Sequence, residues 1–510
     1  MPVLLNISFS NKKNLVSNLL EILKSDYFCG QEPLECSQLG NLLNKLRKNV
    51  WFVLEFPYVD RHYRDTYYSY YSSKFMIINR DCIRVHIFNE EISKDDLIDK
   101  GTNFEKKEYY GFFIIRPIPQ YILGRSLISP KAFQDNNFVC CLTKDHISLL
   151  GNEFTVDGFP HIAQDNETHT CAESSLWSFI EYYGTKYREY KPLLPSQIIK
   201  GLQDSAEHRL LPSRGLTEIE LAKCLQNNGF QCNIHSVHNT KNNTIFKRIL
   251  QLYIESGIPL LLVMENSQDG HAILVIGHED DEIYDIKNHS FFRYASWVDV
   301  SFYHKKLVFV DDNMPPYQIA DISKPTAHYS DPRFSKMAIT KFIVPLPGHV
   351  FLVAEKAYTL MKEIINTKGM SLKETGEKWV TRLLLTNSRS FKNFINNADK
   401  IIKTDKITYK EMPRSVKEKL LHLTMPRFIW ICELYKVQNY SKDDGYCSGL
   451  LVMDATGDGK SLASVLWYVV DEKQFTHNNI VWDEEYTPIE KFMMGTYRNN
   501  LKGEWNGWKS

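Results

Sequence analysis

The chain has no apolar run long enough to cross a bilayer, so no segment reads as a membrane span. It has no excess charge of either sign. Lys plus Arg and Asp plus Glu are both 61, which removes the electrostatic argument for a nucleic acid or an anionic membrane as partner. The opening MPVLLNISFSNKKNL lacks a basic n-region and a small-residue cleavage site, so it does not read as a signal peptide. Ten cysteines are present, but they form no CxxC pair and no regular framework. That pattern favours free thiols in a reducing, cytoplasmic compartment over disulfides. There is no HExxH motif, and the adjacent Cys140 and Cys141 would point apart on a strand rather than share an ion. Neither a metal nor a cofactor is expected. The string DATGDGKS is not a phosphate loop, because the position that needs the first glycine is Asp454. A turn between two antiparallel strands is the expectation there.

What is present is 510 residues with 43% apolar and 13% aromatic content, enough for several cores in two to four domains. No internal repeat is visible, and three regions can be separated. Residues 1–145 carry helical patterns at Leu15–Leu23 and Leu39–Leu46 and strands at Trp51–Phe56, Cys82–Phe88 and Tyr110–Arg116. Between them the tyrosine-dense YVDRHYRDTYYSYYSSKF suits a helix with aromatic residues nearly all round. Packing between domains is favoured there over a binding platform for a peptide or a base. Residues 347–510 begin where a proline-bounded strand passes into the helix near residue 351, and add strands at Arg427–Val437, Gly449–Asp454 and Leu462–Val470. Both flanking regions read as α+β domains of unassigned role.

The middle region, 146–346, carries the chemistry. Cys171 opens an amphipathic helix in which Leu176, Trp177, Ile180 and Tyr183 recur at helical spacing and Gly184 is placed to end it. A helix N-terminus favours the thiolate, the nucleophilic form of cysteine, through its unpaired N–H groups and dipole. Downstream, His271 stands in GHAILVIGH at the head of the apolar run Ala272–Ile276, a buried strand that would hold the imidazole rigidly. LVFVDDNMPPY then ends a second strand with Asp311 and Asp312, before Pro315 and Pro316. In a Cys-His-Asp set the imidazole takes the thiol proton and the carboxylate fixes the tautomer. Gln164, upstream of the nucleophile, would supply an oxyanion-hole amide beside the Cys171 backbone N–H.

These motifs resemble the papain-like cysteine peptidases. Gln164-Asp165 followed by Cys171-Ala172 on a helix, Gly270-His271-Ala272 on a strand, and an Asp at a strand end are most like the branch of bacteriocin leader-processing peptidases and their stand-alone relatives. The intervening pieces agree: Gly215, a capping box of Thr217 and Glu220, a helix closed by Gly229, then the strand of ESGIPLLLVM. The resemblance covers roughly residues 150–345. It implies an α+β core, a helix packed on an antiparallel sheet, flanked by the two further α+β domains. The stretch between His271 and the acid is longer than that family usually shows, and Ala172 stands where many relatives have Gly. The long stretch leaves three acids in play, Asp285, Asp311 and Asp312. Neighbouring residues on a strand face opposite ways, so only one of Asp311 and Asp312 can meet His271. Asp312 is chosen as the last acid before the prolines, where a side chain can leave the sheet.

The expected activity is cleavage of a peptide or isopeptide bond in a protein or peptide substrate, with Cys171, His271, Asp312 and Gln164 as the working residues. Two alternatives share the motif: a silent papain-like binding or scaffold protein, and an acyltransferase of the transglutaminase type.

Overall fold

The structure is a computed structural model that describes residues 5–28, 37–99, 107–120, 122–203, 210–237, 243–279, 296–302, 306–368, 378–401, 414–437 and parts of 440–503. It is an α+β protein built on three largely antiparallel sheets.

The chain opens with β1 (Asn6–Asn11), α1 (Leu15–Leu23), α2 (Ser37–Lys45), β2 (Trp51–Tyr58) and α3 (Arg61–Ser69). There follow β3 (Cys82–Phe88), α4 (Lys94–Asp99), β4 (Tyr109–Ile115), β5 (Leu123–Ile128), β6 (Phe138–Cys141), β7 (Thr143–Leu149) and β8 (Asn152–Ile162). The first sheet runs β1-β2-β3-β4-β5-β8-β7. Strands β3 and β4 are buried along their whole length, because both faces of this sheet are covered. Leu15, Leu19 and Leu42 of α1 and α2 pack with Phe52 and Val85 on one side, and Tyr63, Tyr71 and Phe88 pack on the other.

Next come α5 (Cys171–Lys186), α6 (Pro195–Leu202), α7 (Glu218–Asn227), β9 (Phe230–Ser236), α8 (Asn243–Glu255), β10 (Leu260–Glu265) and β11 (Gly270–Glu279). They continue with β12 (Trp297–Asp299), β13 (Leu307–Val310), β14 (Gln318–Ala320), α9 (Pro332–Ser335) and β15 (Ala338–Pro347). The second sheet is ordered β14-β13-β11-β10-β15-β9, with β6 also paired to β11. Helix α5 lies on one face of this sheet and α8 on the other. The expected capping box of Thr217 and Glu220 forms at the start of α7, and Gly229 follows that helix with φ +90°.

The last elements are α10 (Ala354–Lys368), β16 (Trp379–Asn387), α11 (Ser388–Ile401), α12 (Arg414–His422), β17 (Phe428–Lys436), β18 (Gly449–Asp454), β19 (Ser464–Val469), β20 (Gln474–His477), β21 (Ile480–Trp482) and β22 (Leu501–Lys502). The third sheet is β12-β16-β17-β18-β19-β20-β21. Strands β18 and β19 pair antiparallel; the second half of DATGDGKS, between them, lies outside the described residues. A buried ionic group ties the second sheet to the third. Arg382 of β16 donates to Glu255 of α8 at 2.6 Å and to Glu433 of β17 at 2.8 Å, while His278 of β11 lies 3.2 Å from the other oxygen of Glu255.

The three sheets interlock in a way local sequence does not announce. Strands β7 and β8 carry the first sheet on to Ile162, β6 joins the second sheet, β12 joins the third, and β22 returns to pair with β6. The division expected at 145 falls inside that exchange. The tyrosine-rich helix α3 packs between regions: Asp65 accepts from the backbone N–H and hydroxyl of Ser196 in α6 at 2.8 Å each, and His62 stands edge-on to Trp177 of α5. Among the described residues no helix is long and apolar enough to cross a membrane.

Candidate active site

Cys171 is the first residue of α5. The helix starts there because Thr170 has extended backbone and Glu173 reaches back to its N–H at 3.2 Å, the return half of a capping box. Glu173 is itself held by the Ser213 hydroxyl. As the first helical residue, Cys171 has no carbonyl one turn back within the helix, so its backbone N–H is one of the groups that a helix leaves over. The loop before it is wound around Asp165. That buried carboxylate accepts from the backbone N–H groups of Glu167, Thr168 and His169 at 2.7–3.0 Å and from the hydroxyls of Tyr71 and Thr168. Burial alone would raise its pKa, but its hydrogen bonds and the nearby His169 and Arg116 hold it well below the usual carboxylate range. The helix does not stop at Gly184 but runs to Lys186. Gly184 serves close approach, since a Cβ there would sit 2.4 Å from the Pro192 nitrogen.

His271 enters from β11, between β10 and β13. Its strand is clamped to the helix by the Ser175 hydroxyl, which donates to the Ala272 carbonyl at 3.1 Å. The clamp sets one turn of α5 beside the residue after the histidine. The Cys171 sulfur lies close enough to the His271 ring to bear on its protonation. Nε2 of the ring lies 3.1 Å from Asp311 Oδ1, which leaves Nδ1 as the nitrogen for the thiol. Burial of His271 would by itself lower its pKa. The Asp311 carboxylate, followed by the Cys171 sulfur, overrides this and raises it well above the ordinary value.

The acid beside the ring is Asp311, not Asp312, which corrects the expectation drawn from the sequence. The reason is the strand's end. Regular β structure stops at Val310, so the argument from proximity to the prolines carried no directional information. The side chain that meets the ring is the one still adjacent to the strand. Asp311 is completely buried and fully served: it accepts from the Tyr329 hydroxyl at 2.7 and 2.8 Å and from the Asn313 backbone N–H at 3.1 Å. Burial opposes its ionisation, but His271, His328 and Tyr329 push its pKa well down. Asp312 is buried too, yet neither of its carboxylate oxygens has a hydrogen-bond partner. Burial, with the charges of Asp311 and Glu173 adding to it, pushes it up to about 8. Asp285, the other competitor, lies outside the described residues.

Gln164 follows β8 at the edge of the same space. Its amide donates to the Asn313 side-chain oxygen, and its backbone N–H points to the Asp312 carbonyl at 3.4 Å. One amide hydrogen is thus spent on holding the end of β13, and a second remains. Gln38 of α2 donates to the same Asp312 carbonyl at 3.4 Å, so the first region also helps to fix the acidic pair.

Sequence reasoning missed two contributors and the role of a third. Tyr329 closes over the His271–Asp311 pair, and Phe334 stacks on Tyr329 at 4.6 Å while standing edge-on to His271 at 5.1 Å. Nothing in the local sequence marks either residue. Asp165 could have been found, because an Asp followed by Asn-Glu-Thr is a side-chain-to-backbone turn pattern. No protein-family model matches the chain, and no curated protein matches it by sequence.

Proposed function

We propose that the protein is a cysteine hydrolase that cleaves a peptide or isopeptide bond in a protein or peptide substrate, with a papain-like arrangement of its working residues. The observation that carries this reading is the buried His271–Asp311 pair, 3.1 Å apart, set beside the thiol that opens α5. Cys171 is the nucleophile. His271 takes its proton, and Asp311 keeps Nε2–H pointed away from the sulfur so that Nδ1 faces it. The thiolate attacks the substrate carbonyl, and the oxyanion is met by the Cys171 backbone N–H and the remaining amide hydrogen of Gln164. His271 then protonates the leaving amine. In the second half-reaction it deprotonates the water that releases the acyl group.

The eight described cysteines are all unpaired, which accords with a cytoplasmic, reducing setting. An acyl acceptor other than water would use the same first half-reaction, so transfer to an amine is the nearest variant of this reading. A silent scaffold would leave the buried Asp311 and the raised His271 without a purpose. The test is a proteome-wide comparison of newly formed peptide termini generated by the protein and by Cys171→Ala. Termini that appear only with the unaltered protein support hydrolysis. Identical sets, with Cys171 alkylated no faster than a simple thiol, would sink it.

A further inference from the structure

The described residues hold one further constellation with the geometry of a ligand site. One nitrogen of His271 and one oxygen each of Asp311 and Asp312 lie within 4.8 Å of one another, and all three residues are buried. Asp312 is the informative member. Adjacent residues on a regular strand would point apart, but the strand has ended at Val310, so both carboxylates reach the same place. Asp311 has a full set of donors, whereas both oxygens of Asp312 are sealed from solvent with none. Asp312 is only 4% exposed. A buried carboxylate without donors is expensive unless a proton or a cation is there to meet it.

We infer that His271, Asp311 and Asp312 form a site for a divalent transition-metal ion of the Zn²⁺ type. An imidazole with two carboxylates suits Zn²⁺ and Co²⁺ better than the hard cations, which prefer all-oxygen sets. Three protein ligands leave a fourth position for water, as open zinc sites do. Separations of up to 4.8 Å need only small side-chain shifts to close on an ion that binds nitrogen and oxygen at about 2.0–2.2 Å. On binding, the ion takes the place of the Nε2 proton that now lies between His271 and Asp311, and that proton is released to solvent. Tyr329 keeps its hydrogen bond to the second oxygen of Asp311.

The test uses the full chain freed of metal by chelation, with Co²⁺ as a spectroscopic probe. One equivalent should give a visible d–d band without a thiolate-to-cobalt charge-transfer band, unchanged in Cys171→Ala and weakened at least tenfold in affinity by Asp312→Asn. The folding of that near-isosteric variant is checked by its thermal melt. No Co²⁺ band in the unaltered protein, a band lost in Cys171→Ala, or equal affinity in Asp312→Asn would overturn the site.

Discussion

Two groups of buried charge stand in this molecule, and they are finished differently. In the Arg382 group each carboxylate oxygen faces a donor or a cation, although one Arg382 nitrogen and His278 Nε2 make no hydrogen bond. Glu255 faces Arg382 and His278, and Glu433 takes Arg382 and the Tyr435 hydroxyl on one oxygen and the Tyr497 backbone N–H on the other. That group joins the second sheet to the third. Around His271, by contrast, Asp311 is saturated while its neighbour Asp312 has nothing. Charges buried for architecture are matched because an unmatched one costs several kcal/mol. A leftover acid beside a raised histidine is the pattern expected where a place serves more than stability.

The sharpest way to break this comparison is to treat the adjacent acids alike. Asp311→Asn should reduce turnover by roughly 100- to 10,000-fold, because the ring loses the group that holds its tautomer. Asp312→Asn, assayed free of metal, should stay within about tenfold. A larger loss from Asp312→Asn than from Asp311→Asn would reverse the assignment. Arg382→Ala should cost about 3–5 kcal/mol of stability by stranding Glu255 and Glu433, read by denaturant titration. Its alkylation rate at Cys171 in native conditions should not move. A slowed Cys171 in that variant would mean that the two groups are not separate.

Gln164→Ala should lower turnover about 100- to 1000-fold through the lost oxyanion donor while the melt stays put. Unchanged turnover would restrict Gln164 to bracing Asn313. The smallest effect is expected from Tyr329→Phe. Because the folded pKa of His271 is raised, the protonated ring contributes stability that is complete below about pH 6.5, the ordinary histidine value. That contribution is lost as the pH rises through the higher folded value. Removing the Tyr329 hydroxyl leaves more of the Asp311 charge for the ring, so the alkaline limb of kcat/KM should move up by about a pH unit or less. A limb that moves down would show that Tyr329 acts otherwise.

What could be read from the sequence was whatever local pattern determines. The start of α5 was legible from the apolar spacing that follows Cys171, and His271 from a glycine followed by a β run. The helix Leu15–Leu23 and the strands Cys82–Phe88 and Gly449–Asp454 stand where periodicity puts them. The choice between Asp311 and Asp312 was not legible, because alternation lapses where the strand ends and tertiary contacts decide which side chain meets the ring. Tyr329, Gln38 and the exchange of β6, β12 and β22 between sheets are non-local pairings, which carry no mark in the segments that make them.

The central claim is that Cys171 and His271 work as a thiolate–imidazolium pair. It is tested most directly by the rate of Cys171 alkylation by iodoacetamide as a function of pH, in the unaltered protein and in His271→Ala. The account predicts that the unaltered protein reacts readily at neutral and mildly acidic pH, and that the histidine variant is at least tenfold slower there and gains rate only as the pH becomes alkaline. Superimposable profiles for the two proteins would contradict it.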